Sequence, residues 1–306
     1  MLKNLLNLTV TLTSALTLVA IAAPRAHADL NSQTLSDIKS SLGLVPQFMQ
    51  QVPPEALSGA WSEFKAIQLS STTSLSGKVK ELIGLGVAAQ IPCQYCIYFH
   101  TEAAKMNGAS EREVREAVTL AATARHWISF LGGSQTSFDE FKLDVDKTLK
   151  NSAEKMKLPR QQAQGNTELV ELTSTAQALN DIGNTLGFIP GFIKQFSEAA
   201  LPGAWSEMKN FYLNPNTALD MKTKDLIGLA VAAQVPSQFG VYFHTESAKL
   251  NGATDQEIKE ALAISSITRY WSTILNGLQV NQVVFETEVQ QIMSFLKAKP
   301  AIAPVP

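Results

Sequence analysis

Cysteine is scarce in this chain. Only Cys93 and Cys96 occur among 306 residues, and none lies in the second half. Their absence there excludes thiol chemistry from that half, and the lack of a Cys near residue 28 excludes a lipid-modified N-terminus. Positive charge shows no excess, with 25 Lys and Arg against 27 Asp and Glu. The chain therefore offers no basic footprint for nucleic acid or anionic lipid. Period-two patterns of the kind that make strands are missing. After the first two dozen residues no apolar run approaches membrane-spanning length. A hydrophobic fraction of 45% with 17 Gly and 13 Pro excludes disordered and fibrous classes and leaves a globular chain of one or two domains.

The N-terminus carries Lys3, an apolar stretch from Leu5 to Ala23 and "AHA" at 26–28, which reads as an export signal cleaved before Asp29. An uncleaved anchor is the alternative, and its Thr content and Pro24 argue against it. Loss of residues 1–28 removes Lys3 and Arg25 and no acid, leaving 23 basic and 27 acidic residues, a formal net charge of −4. The expectation is a periplasmic or secreted protein, with no membrane partner once the signal is gone.

A constant offset of 144 relates the two halves. Pro46 aligns with Pro190, Trp61 with Trp205, Cys93 with Ser237, His100 with His244 and Trp127 with Trp271. Within 81–108 and 225–252, 19 of 28 positions are identical, so the chain is a tandem duplication. The expected boundaries are a signal at 1–28, a first unit at 29–155, a polar linker at 156–172, a second unit at 173–298 and a disordered Pro-rich tail at 299–306.

Apolar residues recur at helical spacing in 76–90, in 92–106 and from roughly 110 to 130, and the same pattern returns in the second unit. In "NGAS" the Gly is placed to end one helix in the left-handed conformation, and Ser110 to cap the next with Glu113 in capping-box position. Pro92 suits a first helical turn. The predicted class is all-α.

The start of that helix puts Cys93 at the positive end of the helix dipole, where backbone N–H groups lower a thiol's pKa. Cys96 follows one turn on. His100 lies four residues beyond it on the same face, spaced to exchange a proton with sulfur. Glu81 is twelve residues before Cys93, and only the tertiary fold can bring it to the site. A nucleophilic sulfur, a base and a resolving sulfur suit peroxide cleavage or disulfide exchange. Two other readings of the same residues are a static Cys93–Cys96 disulfide and a zinc site made of both Cys, His100 and Glu81.

Glu81, then Cys93-Gln94-Tyr95-Cys96, then three residues and His100 resembles the redox signature of alkylhydroperoxidase D and the carboxymuconolactone decarboxylase-like superfamily around it. The "LGLVPQF" and "GAW" segments fit the peroxidase-related branch, so the resemblance covers nearly all of each unit. It implies two tandem alkylhydroperoxidase D-like helical units forming a pseudo-dimer. It also implies Cys96 as the thiol that attacks a hydroperoxide, Cys93 as the thiol that resolves it, and His100 supported by Glu81 as proton relay. No organic cofactor is implied, and the electron donor is an unidentified protein or small thiol. Association into homo-oligomers through helical faces is a further implication. Some members carry His where this chain has Tyr95, which removes one proton carrier. A carboxymuconolactone decarboxylase-like lyase or isomerase, and a secreted scaffold or binding module, are the rival functions.

In the second unit the matching residues are Asp225, Ser237, Gly240 and His244. His244 is open to a structural or a ligand-binding role. His126, beside Trp127, matches Tyr270 and reads as an aromatic-sized packing position. Arg125 and Arg269 are expected to pair with an acid such as Glu63 or Glu207. Trp61, Trp205, Phe48 and Phe192 fall at core spacing.

Overall fold

The stretches with helical spacing are helices, and their ends fall where capping residues stand. In the computed structural model, which describes residues 29–157 and 169–298, the described residues contain helices and turns and no strand. The export signal, most of the linker and the tail lie outside the described residues. The first repeat contains α1 (29–42), α2 (Gln47–Gln50), α3 (Pro54–Ile67), α4 (Gly77–Gln90), α5 (Gln94–Met106), α6 (Glu111–Gly133) and α7 (Phe138–Met156). The second contains α8 (Thr175–Leu186), a 3₁₀ turn (Gly191–Gln195), α9 (Leu201–Glu207) running into a π-helical turn (Met208–Tyr212), α10 (Met221–Gln234), α11 (Gln238–Leu250), α12 (Asp255–Gly277) and α13 (Gln282–Ala298). Helices α4, α5 and α6 start and stop 144 residues before α10, α11 and α12.

Local chemistry sets these limits. Ser110 accepts the Glu113 amide while the Glu113 carboxylate takes the Ser110 amide, a complete capping box. Gly108 takes φ +85° between α5 and α6, as the sequence predicts. Pro92 differs from expectation: it precedes the helix, and Cys93 is the N-cap of α5.

The chain divides into two compact units that cut across the repeats: residues before Ile67 with those after Asn276, and Ile67–Asn276. In the first of these, Trp61 donates its indole N–H to Asp37 at 2.6 Å, and Lys65 pairs with the same carboxylate. Phe48 packs against Phe285.

The larger unit holds the inner helices of both repeats in one core. Leu82, Ile83 and Val87 of α4 and Leu226, Ile227 and Val231 of α10 are fully buried in a single cluster. Contact is close enough that a Cβ at Gly86 would lie 2.7 Å from the Ile227 side chain. The repeats also exchange caps. Glu260 accepts the amides of Ser74 and Leu75 at 2.9 and 2.8 Å, and Glu116 accepts those of Ala218 and Leu219 at 2.9 Å each. Residue i on j and j on i is the mark of an isologous pairing, here made within one chain. Lys80 and Lys224, both buried, hold the preceding loops by donating to the carbonyls of Ile67 and Ser70 and of Phe211, Tyr212 and Asn214 respectively. No helix of the described residues is long and apolar enough to cross a membrane.

Candidate active site

Helix α5 lies against α4, and this packing does what the sequence spacing alone did not. Glu81, near the start of α4, places Oε2 2.7 Å from Nδ1 of His100. Its other oxygen accepts the side-chain amide of Gln68 at 2.7 Å. All three side chains are buried, with exposures of 4%, 5% and 5% for Glu81, His100 and Gln68. A buried carboxylate needs such donors, because desolvation without them is costly. The imidazole rests on Gly84, where a Cβ would come within 2.3 to 2.7 Å of three ring atoms. Only Gly admits the ring at this distance.

Both sulfurs are unbonded thiols and both are buried. Cys93 Sγ, at the N-cap, accepts the Cys96 amide at 3.3 Å, so the free N–H groups of the first turn face it. From α12 of the second repeat, Asn276 Nδ2 reaches the same sulfur at 3.4 Å. Ser272 stands beside both sulfurs and favours their ionised forms. These donors act with the Cys96 S–H, which is the largest influence, to hold Cys93 down at about 6, against the opposing effect of burial. Cys96 moves the other way. Donating its S–H to Cys93 in a hydrogen bond, with burial and the neighbouring charge, pushes its thiol well above the usual range. This arrangement favours the charge on Cys93 and the proton on Cys96.

Thr268, also on α12, completes the set: its hydroxyl is 3.3 Å from Nε2 of His100. Both ring nitrogens are thus engaged, by Glu81 and by Thr268, and no hydrogen bond joins His100 to sulfur among the described residues. The sequence therefore brings together Cys93 with Cys96 and Glu81 with His100, as two adjoining pairs. Nor do three or more of the His, Cys, Asp and Glu side chains among the described residues converge as a metal-binding set, because Glu81 is directed at His100 and Gln68.

Gln68, Thr268, Ser272 and Asn276 are site residues the sequence reading missed. One signal for the last three was available. Residues 268, 272 and 276 form an i, i+4, i+8 stripe that is polar in the second repeat, where the first has Ala124, Ile128 and Gly132. The thiol-free repeat is needed because its helix covers the thiols of the other. Asn276→Ala should therefore slow alkylation of Cys93 at pH 6 by about threefold, and Asn276→Asp, which sets a like charge beside the sulfur, by more than about tenfold. Mass-resolved alkylation of each Cys at several pH values checks both.

The second repeat's counterpart is rewired. Asp225 replaces Glu81 and is one methylene shorter, so His244 Nδ1 stands 3.6 Å from it. Its oxygens accept Tyr212 O–H, Ser247 O–H and Asn251 N–H, the last two at 2.9 Å each. Gly240, in place of Cys96, has Ile128 against it, 2.7 Å from where a Cβ would be. Asp181 takes Trp205 at 2.7 Å and also Lys209, repeating the Asp37 arrangement. His126 is an exposed residue whose ring meets Trp127 and Phe196, at 5.7 and 6.0 Å, so it sits beside Trp as expected but at the surface. Neither Arg125 nor Arg269 forms an ion pair among the described residues, and Glu207 accepts Thr123 O–H instead. The expected pairing is absent because Arg125 is exposed and the carboxylate is already used.

The profile of the carboxymuconolactone decarboxylase family matches residues 55–132 and 199–282, once in each repeat. The chain belongs to that family. Its fold is similar to a crystal structure described as that of a gamma-carboxymuconolactone decarboxylase subunit from Burkholderia xenovorans LB400, with TM-score 0.50 and 17% identity over 87% of this chain and 97% of the other. Among curated proteins none matches significantly.

Proposed function

We propose that the protein is a thiol-dependent hydroperoxide reductase. The observation that supports this reading most is the buried, unequal thiol pair, one sulfur favoured as thiolate by the Cys96 amide, the Cys96 S–H and Asn276, and the other carrying the proton. The Cys93 thiolate attacks an oxygen of ROOH. The O–O bond breaks, Cys93 becomes a sulfenic acid, and the departing alkoxide takes one proton, supplied through His100 and Glu81, to leave as ROH. Cys96 thiol then condenses with the sulfenic acid, forming the disulfide and releasing water. Two electrons have passed from the sulfurs to the peroxide, and an external dithiol or small thiol returns them.

This order makes Cys93 the attacking sulfur, whereas the family resemblance implies Cys96; the donors gathered around Cys93 favour the former. Burial also separates two chemistries. With exposures of 0% and 4% for Cys93 and Cys96, the sulfurs suit a small peroxide better than the disulfide of a protein partner. Export through residues 1–28 is part of the proposal and would place the reaction in the periplasm or outside the cell.

Treatment with one equivalent of cumene hydroperoxide should convert both thiols to an intramolecular disulfide while releasing cumyl alcohol, followed by intact mass and chromatography. Peroxide decay with no disulfide would contradict the proposal. A decarboxylase-type activity, which the family's name suggests, is the rival reading, and survival of activity in Cys93→Ser/Cys96→Ser would favour it instead.

A further inference from the structure

We propose that a cavity beside His244, in the second repeat's counterpart of the thiol site, binds an uncharged, single-ring aromatic molecule. The cavity has a volume of about 120 Å³. Trp127, Phe141, Phe192, Trp205, Phe239 and Phe243 are among its walls, and no Lys or Arg lines it.

Protein interiors are close-packed, with few voids larger than a water molecule. An enclosed apolar cavity of comparable volume takes a benzene-sized guest, and this one is partly open, which gives a guest a way in. Most polar groups at its margin are already used, the exceptions being the buried Trp127 indole N–H, which has no partner among the described residues, and His244, whose contacts are long. Tyr212 gives its hydroxyl proton to Asp225, Thr123 gives its own to Glu207, and Asp144 accepts the Gly191 amide at 2.6 Å. Asp225 is held by Ser247 and Asn251 as well, so its charge is satisfied within the protein.

The substitutions that remove thiol chemistry are also those that make the walls apolar. Gly240 stands where the first repeat has Cys96. Ala124 and Ile128, which line the cavity, stand where α12 presents Thr268 to His100 and Ser272 to the thiols. Aromatic walls favour an aromatic guest through edge-to-face contacts. A carboxylate guest would be buried without a basic partner from Lys or Arg, which opposes its binding.

The test uses the full chain labelled at its methionine methyl groups, with toluene and benzoate as probes. Met208 lines the cavity, whereas Met49, Met106 and Met293 do not; its signal is assigned with Met208→Leu. Toluene is expected to shift the Met208 methyl signal saturably and to raise the melting temperature. Benzoate should bind at least about tenfold more weakly. Ala124→Leu, which fills the space, should weaken toluene binding by a similar factor. No saturable shift at Met208, equal response to benzoate, or unchanged binding in a folded Ala124→Leu would overturn the proposal. The probe comparison on the unmodified chain decides the matter if that variant does not fold.

Discussion

Cys93→Ser is expected to lower peroxide reduction by more than about 1,000-fold, because it removes the only sulfur that is ionised near neutral pH. Cys96→Ser should behave differently. Serine at 96 still donates an O–H to Cys93, and the Cys96 amide, Ser272 and Asn276 remain, so the thiolate persists and one oxidation still occurs. What is lost is resolution. Sulfenic acid should accumulate on Cys93 in Cys96→Ser and be trapped by dimedone at that residue, with no second turnover. Trapping on Cys96 in the Cys93→Ser chain would reverse the order of attack.

The second large effect is at Gly84. A methyl there would meet His100 Cε1 at 2.3 Å, Nδ1 at 2.5 Å and Nε2 at 2.7 Å. The ring has nowhere to go without releasing Glu81 on one side or Thr268 on the other. Gly84→Ala should thus cost about 1 to 3 kcal/mol of stability and about 100-fold in activity through misplacement of the dyad. Gly228→Ala is the internal control. It meets His244 at the same 2.3 Å, but that ring has only long contacts, 3.5 Å to Tyr212 and 3.6 Å to Asp225, and an adjoining cavity. Its melting temperature should fall less, and peroxide reduction should be unchanged. Equal losses in the two variants would mean that His100 acts only as packing.

The contrast between these two glycines shows what the sequence made legible and what it did not. Helix limits were readable because Ser110, Glu113 and Gly108 are local signals whose geometry depends on a few neighbours. The duplication was readable from residue identity at a fixed offset. The Cys93–Cys96 pair and its dipole argument were readable because one helix carries them. Glu81 to His100 required two helices to pack, and the spacing named the residues without supplying their contact. The α12 stripe was further away still. Thr268, Ser272 and Asn276 lie more than 160 residues from the groups they touch, and only the swapped, isologous arrangement of the repeats brings them there. A repeat that had lost its thiols looked dispensable for chemistry, and the expected direct contact of His100 with sulfur came from treating α5 as if alone. Thr268 occupies the free ring nitrogen instead.

The unequal thiol pair is the centre of this account, and the rate of iodoacetamide alkylation at each Cys as a function of pH measures it directly. Cys93 has an ordinary thiol value of 9.0 lowered to about 6, so its rate should be flat above roughly pH 7 and fall about tenfold for each pH step below 6. Cys96 should remain unmodified through that range. A Cys93 midpoint near the ordinary value, or faster alkylation of Cys96 than of Cys93 at pH 7, would contradict the proposed thiolate and with it the order of the reaction.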